Sequence, residues 1–268
     1  MNDIVVGIEG MVGAGKTSIC DELLNLIPNS IFVDGSKIYR ALIEALHMAK
    51  DSLKFDENSQ KESPQNGDIK AKDSASSNEK ATMLDVINGL EQMAQMAILT
   101  PFDLLKKLQV EFKIEDRKTV IYIAGKKIDE EAMKSMQNSI GVSKMANQAD
   151  NSKLFAFAHQ IIQEYSKKFN IIVSARDLVK IYPEMDLHIF ITASLEERVQ
   201  RRYNQLKGEY TIDEVRNSII QRDILHEKSG FNETFDKTVK VDVTGDSSAK
   251  ESAKKIFDKY ISKLLKIA

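Results

Sequence analysis

Gly10-Met11-Val12-Gly13-Ala14-Gly15-Lys16-Thr17 has the spacing G-x-x-x-x-G-K-[ST], which is chemistry for holding phosphate. A loop that wraps a polyphosphate must turn its backbone N–H groups inward, and Gly10, Gly13 and Gly15 lack the Cβ that would obstruct so close an approach. Lys16 is placed to reach the β- and γ-phosphates, and the Thr17 hydroxyl to take one coordination position on Mg2+. A second group of residues could serve a second anion. Ser36 and Arg40 lie about one helical turn apart just past a short apolar run, where they could grip a phosphate. Equally, Asp34 or Ser36 could be an N-cap and Arg40 an exposed helix residue. Arg176-Asp177, Arg201-Arg202 and Arg222-Asp223 add further cations. Singly these read as surface salt bridges or a solvated helix face; their joint placement after strands and in the flanking helices favours phosphate binding.

The elements that must position these groups follow from periodicity. Ile4-Val5-Val6-Gly7-Ile8 is a β-branched run bounded by turn residues, and Ser18 to Leu24 repeats apolar residues at helical spacing, so the loop lies between a strand and a helix. Ile31-Phe32-Val33, Asn170 to Ser174, Leu187 to Thr192 and Thr238 to Val243 predict further strands, alternating with helices in the manner of a parallel α/β sheet. Val110 to Ile114 and Thr119 to Ile123 predict an antiparallel hairpin, which with its neighbouring helices implies a small excursion domain. Residues 51–80 are polar and poor in large apolar residues, and predict a flexible insertion. Met83 to Leu108 predicts helix with a break near Pro101, and 138–165 predicts another helix. Ser194 with Glu197, and Thr211 with Glu214, have capping-box spacing.

With 268 residues, 42% of them hydrophobic, the chain can bury a sizeable core. Its net charge of −2 gives no overall basic field and does not suggest nucleic acid as a main partner. One cysteine, Cys20, and four scattered histidines provide neither an intrachain disulfide nor zinc-ligand spacing. No apolar run approaches the length that spans a bilayer, and Met1-Asn2-Asp3 leads directly into a strand without the regions of a signal peptide. The expectation is a cytoplasmic monomer whose partners are small-molecule nucleotides.

Ile8-Glu9-Gly10 with its loop, Asp34-Gly35-Ser36-Lys37-Ile38-Tyr39-Arg40, Gly141-Val142-Ser143-Lys144-Met145-Ala146, Ala175-Arg176-Asp177, Thr192 to Tyr203 and Arg222-Asp223 occur in an order that resembles the cytidylate kinases of the nucleoside monophosphate kinase family. The resemblance implies a P-loop three-layer α/β fold with a parallel central sheet, an inserted monophosphate-binding α+β subdomain and a mobile lid. It implies a core over residues 1–50, the insertion over 51–82, the monophosphate-binding subdomain over 83–168, and the core continued over 169–268 with the lid around 201–231.

ATP and Mg2+ are the implied cofactors, bound by Gly10, Met11, Val12, Gly13, Ala14, Gly15, Lys16, Thr17 and Ser18, with Thr17 as metal ligand. Ser36, Arg40, Ser143, Arg176, Asp177 and Arg222 would hold the monophosphate. Arg201 and Arg202 would lie at the lid over the transferring phosphoryl group and act in catalysis with Lys16 and Arg176. Base-reading positions depart from the family: Ala149 to Lys153 lacks its arginine, Leu178-Val179-Lys180 shortens a loop, and His226-Glu227-Lys228-Ser229 replaces an acidic residue and an arginine. The implied reaction is phosphorylation of CMP or dCMP, with another nucleoside monophosphate, or a weakly active nucleotide-binding module, as alternatives.

Overall fold

The apolar run before the phosphate loop forms strand β1, Val5–Gly10, and its alternate side chains divide between two cores, as an interior strand covered on both faces requires. The computed structural model describes residues 3–37, 40–45, 48, 101–129, 151–206, 208–229 and 234–265. The expected insertion at 51–82, the helix expected before Pro101 and the Gly141–Ala146 stretch with Ser143 lie outside the described residues. The chain divides into two compact units, one of Met1–Lys37, Phe112–Val120 and Ser152–Ala268, the other of Ile38–Glu111 and Ile121–Asn151.

In the first unit, β1 is followed by α1 (Lys16–Leu26) and β2 (Ser30–Asp34). The hairpin strands β3 (Val110–Glu115) and β4 (Lys118–Ile123) come next in this sheet. Helix α3 (Ser152–Tyr165), β6 (Asn170–Ser174), the short α4 (Leu178–Ile181) and β7 (Leu187–Thr192) follow. The chain ends with α5 (Leu195–Gln205), α6 (Ile212–Ser229), β8 (Thr238–Asp242), α7 (Ala249–Ile256) and a π-helical turn, Phe257–Ile261. The strand order is β3-β4-β2-β6-β1-β7-β8, and every pairing from β4 to β8 along this order is parallel.

Val6 and Ile8 face Ile19, Cys20 and Leu23 of α1 and Ala253 and Ile256 of α7. Val5 faces Ile162 of α3 and Leu178, Ile181 and Met185 around α4. Helices on both faces of a mostly parallel sheet make the three-layer α/β architecture that the sequence predicts. Each fully buried Leu or Ile contributes roughly 1.5–3 kcal/mol. Cys20 belongs to this core; burial, with Asp34 and Asp21 nearby, pushes its thiol well up and keeps it protonated.

The hairpin differs from the expectation of an excursion domain. Its turn end belongs to the first unit, because β4 pairs in parallel with β2 at Phe32 and Lys118. Asp116 and Arg117 both have positive φ, 46° and 68°, the two-residue turn whose twist matches flanking strands. From that turn Arg117 donates through Nη2 to Leu24 O at 2.5 Å and Ser30 Oγ at 2.7 Å, and through Nε to Ser30 O at 2.8 Å. These bonds satisfy carbonyls at the C-terminal end of α1 and at the start of β2. The expected 83–168 subdomain is therefore divided, with Phe112–Val120 and α3 in the first unit.

In the second unit, α2 spans Pro101–Lys107, and the break expected near Pro101 adjoins residues outside the described ones. β5 (Lys126–Lys127) pairs antiparallel with the end of β4 at Tyr122 and Ile123. Ala41, Leu42 and Ala45 are buried on a helical segment that also carries Arg40.

Candidate functional site

Parallel register brings two loops to the same edge of the sheet. Gly7 of β1 lies opposite Val173 of β6, so Gly10 and Arg176, each three residues further on, leave adjacent strands at their carboxyl ends. On the other side of β6, Asp34 pairs with Ser174, and the Gly35 N–H donates to Ser174 O at 2.8 Å. A Cβ on Gly35 would stand 2.8 Å from the Ala175 Cβ. Glycine therefore precedes Ser36 because the two loops nearly touch. Carboxyl ends of neighbouring strands are where open α/β sheets bind ligands.

The phosphate loop is built as its spacing predicted. Gly10 has φ 145°, and a Cβ there would lie 2.1 Å from Ile191 O. Gly13 has φ 76°, and its Cβ would meet Arg198 O at 3.1 Å. Gly15 is the N-cap of α1, has left-handed geometry and offers no side chain to the first-turn N–H groups. Those donors and the helix dipole are available to an anion. Lys16 Nζ donates to Gly10 O at 2.8 Å and Met11 O at 2.7 Å, so the ammonium lies along the loop's own backbone. Thr17 and Ser18 are exposed at the first turn.

Three cations meet at this edge. Burial, then Arg222 and Arg176, push the Lys16 ammonium down to about 8, against a smaller opposing pull from Glu9. His226, one turn after Arg222 on α6 and 7% exposed, is lowered to about 2 by burial and by Arg176, Arg222 and Lys16. It is neutral across the physiological range. The sequence-predicted Arg176 and Arg222 thus both act electrostatically on Lys16, a field that bound phosphate would neutralise. Asp177 is buried at left-handed φ 57°, and its Oδ1 lies 3.3 Å from Lys180 Nζ. Among groups of three or more His, Cys, Asp and Glu, the described residues offer none that could hold a metal by themselves. A single hydroxyl such as Thr17, completed by phosphate oxygens and water, is a donor set that suits Mg2+.

A cytidylate kinase family model matches residues 6–263. The chain belongs to the cytidylate kinase family. A cytidylate kinase of Fusobacterium nucleatum is 26% identical over 250 residues, 91% of each chain. One of Alkaliphilus oremlandii is 26% identical over 86% of this chain and 85% of its own. That of Aquifex aeolicus is 34% identical over 126 residues; the match covers 45% of this chain and about half, 55%, of that protein.

Within this member of the cytidylate kinase family, several side chains lie where the sequence did not place them. Ser36 Oγ donates to Asp34 Oδ1 at 2.6 Å, and the Ser36 N–H donates to the same oxygen at 3.0 Å, so Asp34 organises the helix start and Ser36 supplies its hydroxyl to that bond. Arg201 donates to Glu197 Oε2 at 2.7 Å, Val243 O at 2.9 Å and Ala14 O at 3.3 Å, which holds it against the phosphate-loop backbone. Arg202 reaches Gln205 Oε1 at 3.3 Å. Arg40 belongs to the second unit, and Ser143 lies outside the described residues.

The capping box at Ser194 is half made. The Glu197 N–H donates to Ser194 Oγ at 3.4 Å, but the Glu197 carboxylate takes the Gly245 N–H and Arg201 instead. The box at Thr211 is complete, with Thr211 N–H donating to Glu214 Oε2 at 2.7 Å and Glu214 N–H to Thr211 Oγ1 at 3.3 Å.

Arg198 is the residue that sequence reasoning missed. It is 4% exposed and donates to Val12 O at 3.1 Å, Ala193 O at 3.1 Å and Asp223 Oδ2 at 2.7 Å. It ties the phosphate loop to the end of β7 and to α6 beside Arg222. In the sequence it sits in a charged run, Glu196-Glu197-Arg198, that looks like a solvated helix face. The signal available was its position four residues after Ser194, one turn inside a helix leaving a buried strand.

Proposed function

We propose that this protein transfers the γ-phosphoryl group of ATP in line to the phosphate of CMP or dCMP. The observation that carries the reading is a complete phosphate loop, with Lys16 lying along its backbone, at the carboxyl edge of the sheet where Arg176 leaves the neighbouring strand β6.

Gly10 to Ser18 would bind ATP through loop N–H groups and the N-terminus of α1. Lys16, released from the Gly10 and Met11 carbonyls, would follow the phosphoryl group between donor and acceptor. The Thr17 hydroxyl would hold Mg2+, which when bound offsets charge on the β- and γ-oxygens. Arg176 and Arg222 would clasp the monophosphate with Arg40, while Ser36, Ser143 and Asp177 serve the acceptor side, and Arg201 and Arg202 belong to the lid. The accepting oxygen is already ionised, so positioning and charge neutralisation suffice and no general base is needed. Closure over the reactants would keep water from the phosphoryl group.

Arg198 supports this as a positioning residue, since its bonds to Val12 O and Asp223 tie the donor loop to the helix that carries Arg222. None of the described helices is long and apolar enough to cross a membrane. We place the activity in the cytoplasm, in a monomer. A coupled assay of ADP formation with CMP, dCMP, UMP and AMP tests the reading. Turnover confined to CMP and dCMP is expected; turnover with UMP or AMP alone, or nucleotide binding without turnover, overturns it.

A further inference from the structure

Glu9 is a carboxylate where strand alternation calls for an apolar side chain. Val5, Gly7 and Glu9 project to the face of β1 that packs on α4, and Glu9 is 2% exposed. A charge in that position is costly unless its oxygens are satisfied, and both are. Oε1 accepts the Leu178 N–H at 2.9 Å, and Oε2 lies 3.0 Å from Nε2 of the fully buried His188. Across the ring, Nδ1 lies 2.9 Å from Thr238 Oγ1, which also accepts the Phe235 N–H at 3.0 Å. The Phe235 ring stacks on the imidazole with centroids 5.4 Å apart.

A carboxylate can only accept, so Nε2 bears a hydrogen, and the Thr238 hydroxyl is free to donate its own to Nδ1. All donors then point one way, from Phe235 through Thr238 and His188 to Glu9. Gly7 makes room for the ring: it pairs with His188 across the sheet, and a Cβ on it would stand 3.4 Å from His188 Cδ2 and 2.4 Å from Met185 Sδ.

We propose that Glu9, held by His188 and Thr238, is a positioning residue that sets the Arg176-Asp177 turn against the phosphate loop. Glu9 immediately precedes Gly10, and Leu178 immediately follows Asp177, whose left-handed backbone a non-glycine residue adopts only at a cost. One carboxylate therefore joins the chain where the donor cradle starts to the chain where the acceptor clasp ends. Phe235 extends the same network to the segment between α6 and β8. The functional half of this proposal rests on reading Arg176 as a ligand of the acceptor phosphate.

Glu9→Gln in the full chain keeps the size and one acceptor oxygen while removing the charge, and Thr238→Val removes only the hydroxyl. Two readouts separate the proposal from the reading beneath it. Amide exchange at Leu178, followed by NMR without ligands, is expected to accelerate at least tenfold in Glu9→Gln. In steady-state kinetics kcat/KM for the monophosphate is expected to fall at least tenfold while ATP affinity stays within twofold, and Thr238→Val follows in the same direction by twofold to fivefold. Unchanged Leu178 exchange overturns the proposal, as does an equal loss of ATP affinity and acceptor use, which would mark a merely structural residue. If the wild-type chain has no turnover, the kinase reading fails and Leu178 exchange alone decides whether Glu9 positions the turn. If Glu9→Gln does not fold, Thr238→Val decides on the same two readouts.

Discussion

The phosphate loop and the arginine cluster both lie at the carboxyl edge of one sheet, and they are made in opposite ways. The loop is backbone: three glycines, a helix start and a lysine folded onto neighbouring carbonyls, all within nine residues of chain. The cluster is side chain: Arg176 follows β6, Arg222 rides on α6, and His226 stands a turn beyond it. A backbone cradle is insensitive to most single substitutions outside its glycines. A side-chain clasp should instead fail residue by residue, and the contrast can be tested on that ground.

The sharpest break is Lys16→Met. It is expected to lower kcat by about a thousandfold or more, since it removes the charge that we propose follows the transferring group, while ATP binding falls far less because the loop amides remain. The same variant should be more stable than wild type at pH 7. Folding lowers the Lys16 pKa from 10.5 to about 8, so the folded state holds the ammonium at a cost that is complete below pH 8 and relieved as pH rises toward 10.5. Partial exposure discounts the gain to ~1–2 kcal/mol, seen as a rise in Tm that shrinks in alkaline buffer.

Arg176→Gln should raise the acceptor KM by about 10- to 100-fold, the value of a charge-assisted bond, with the ATP Kd nearly unchanged. Equal damage to both substrates would erase the distinction between cradle and clasp. Arg198→Met probes the tie between the two regions. It leaves Asp223 without its 2.7 Å partner and two carbonyls without a donor, and should lower stability by ~2–3 kcal/mol in chemical denaturation. Acceptor and donor kinetics should both worsen, unlike in Arg176→Gln.

The smallest effect is the pH response of His226. Its folded pKa of about 2 against 6.5 in the unfolded chain means that unfolding takes up a proton below pH 6.5. Stability is intact above pH 6.5 and declines as pH falls toward 2, by ~2 kcal/mol at pH 5. His226→Gln should flatten that part of the curve in urea titrations at several pH values.

The same contrast explains what could be read from the sequence. The loop, the strands and the helix start at Thr211 rest on residues a few positions apart, and local spacing carries them. Arg198 was hidden because its partners, Val12 and Asp223, lie 186 and 25 positions away. Glu197 left half of its expected cap because Gly245 and Arg201 compete for its carboxylate. Ser36 turned to Asp34 because Gly35 brings that turn against Ala175. Gly10 and Arg176, 166 positions apart in the chain, come together through the register of β1 with β6, which neither local motif describes.

The staple from Arg117 to the end of α1 has an engineering corollary. A fragment made by excising everything between Lys37 and Ser152 would retain all the nucleotide-loop residues yet lose the guanidinium that closes off Leu24 and Ser30, together with the strand lying beside Phe32. The first unit is stapled by hydrogen bonds from its own midsection, so a minimal version would have to graft Phe112–Val120 back rather than simply trim the chain.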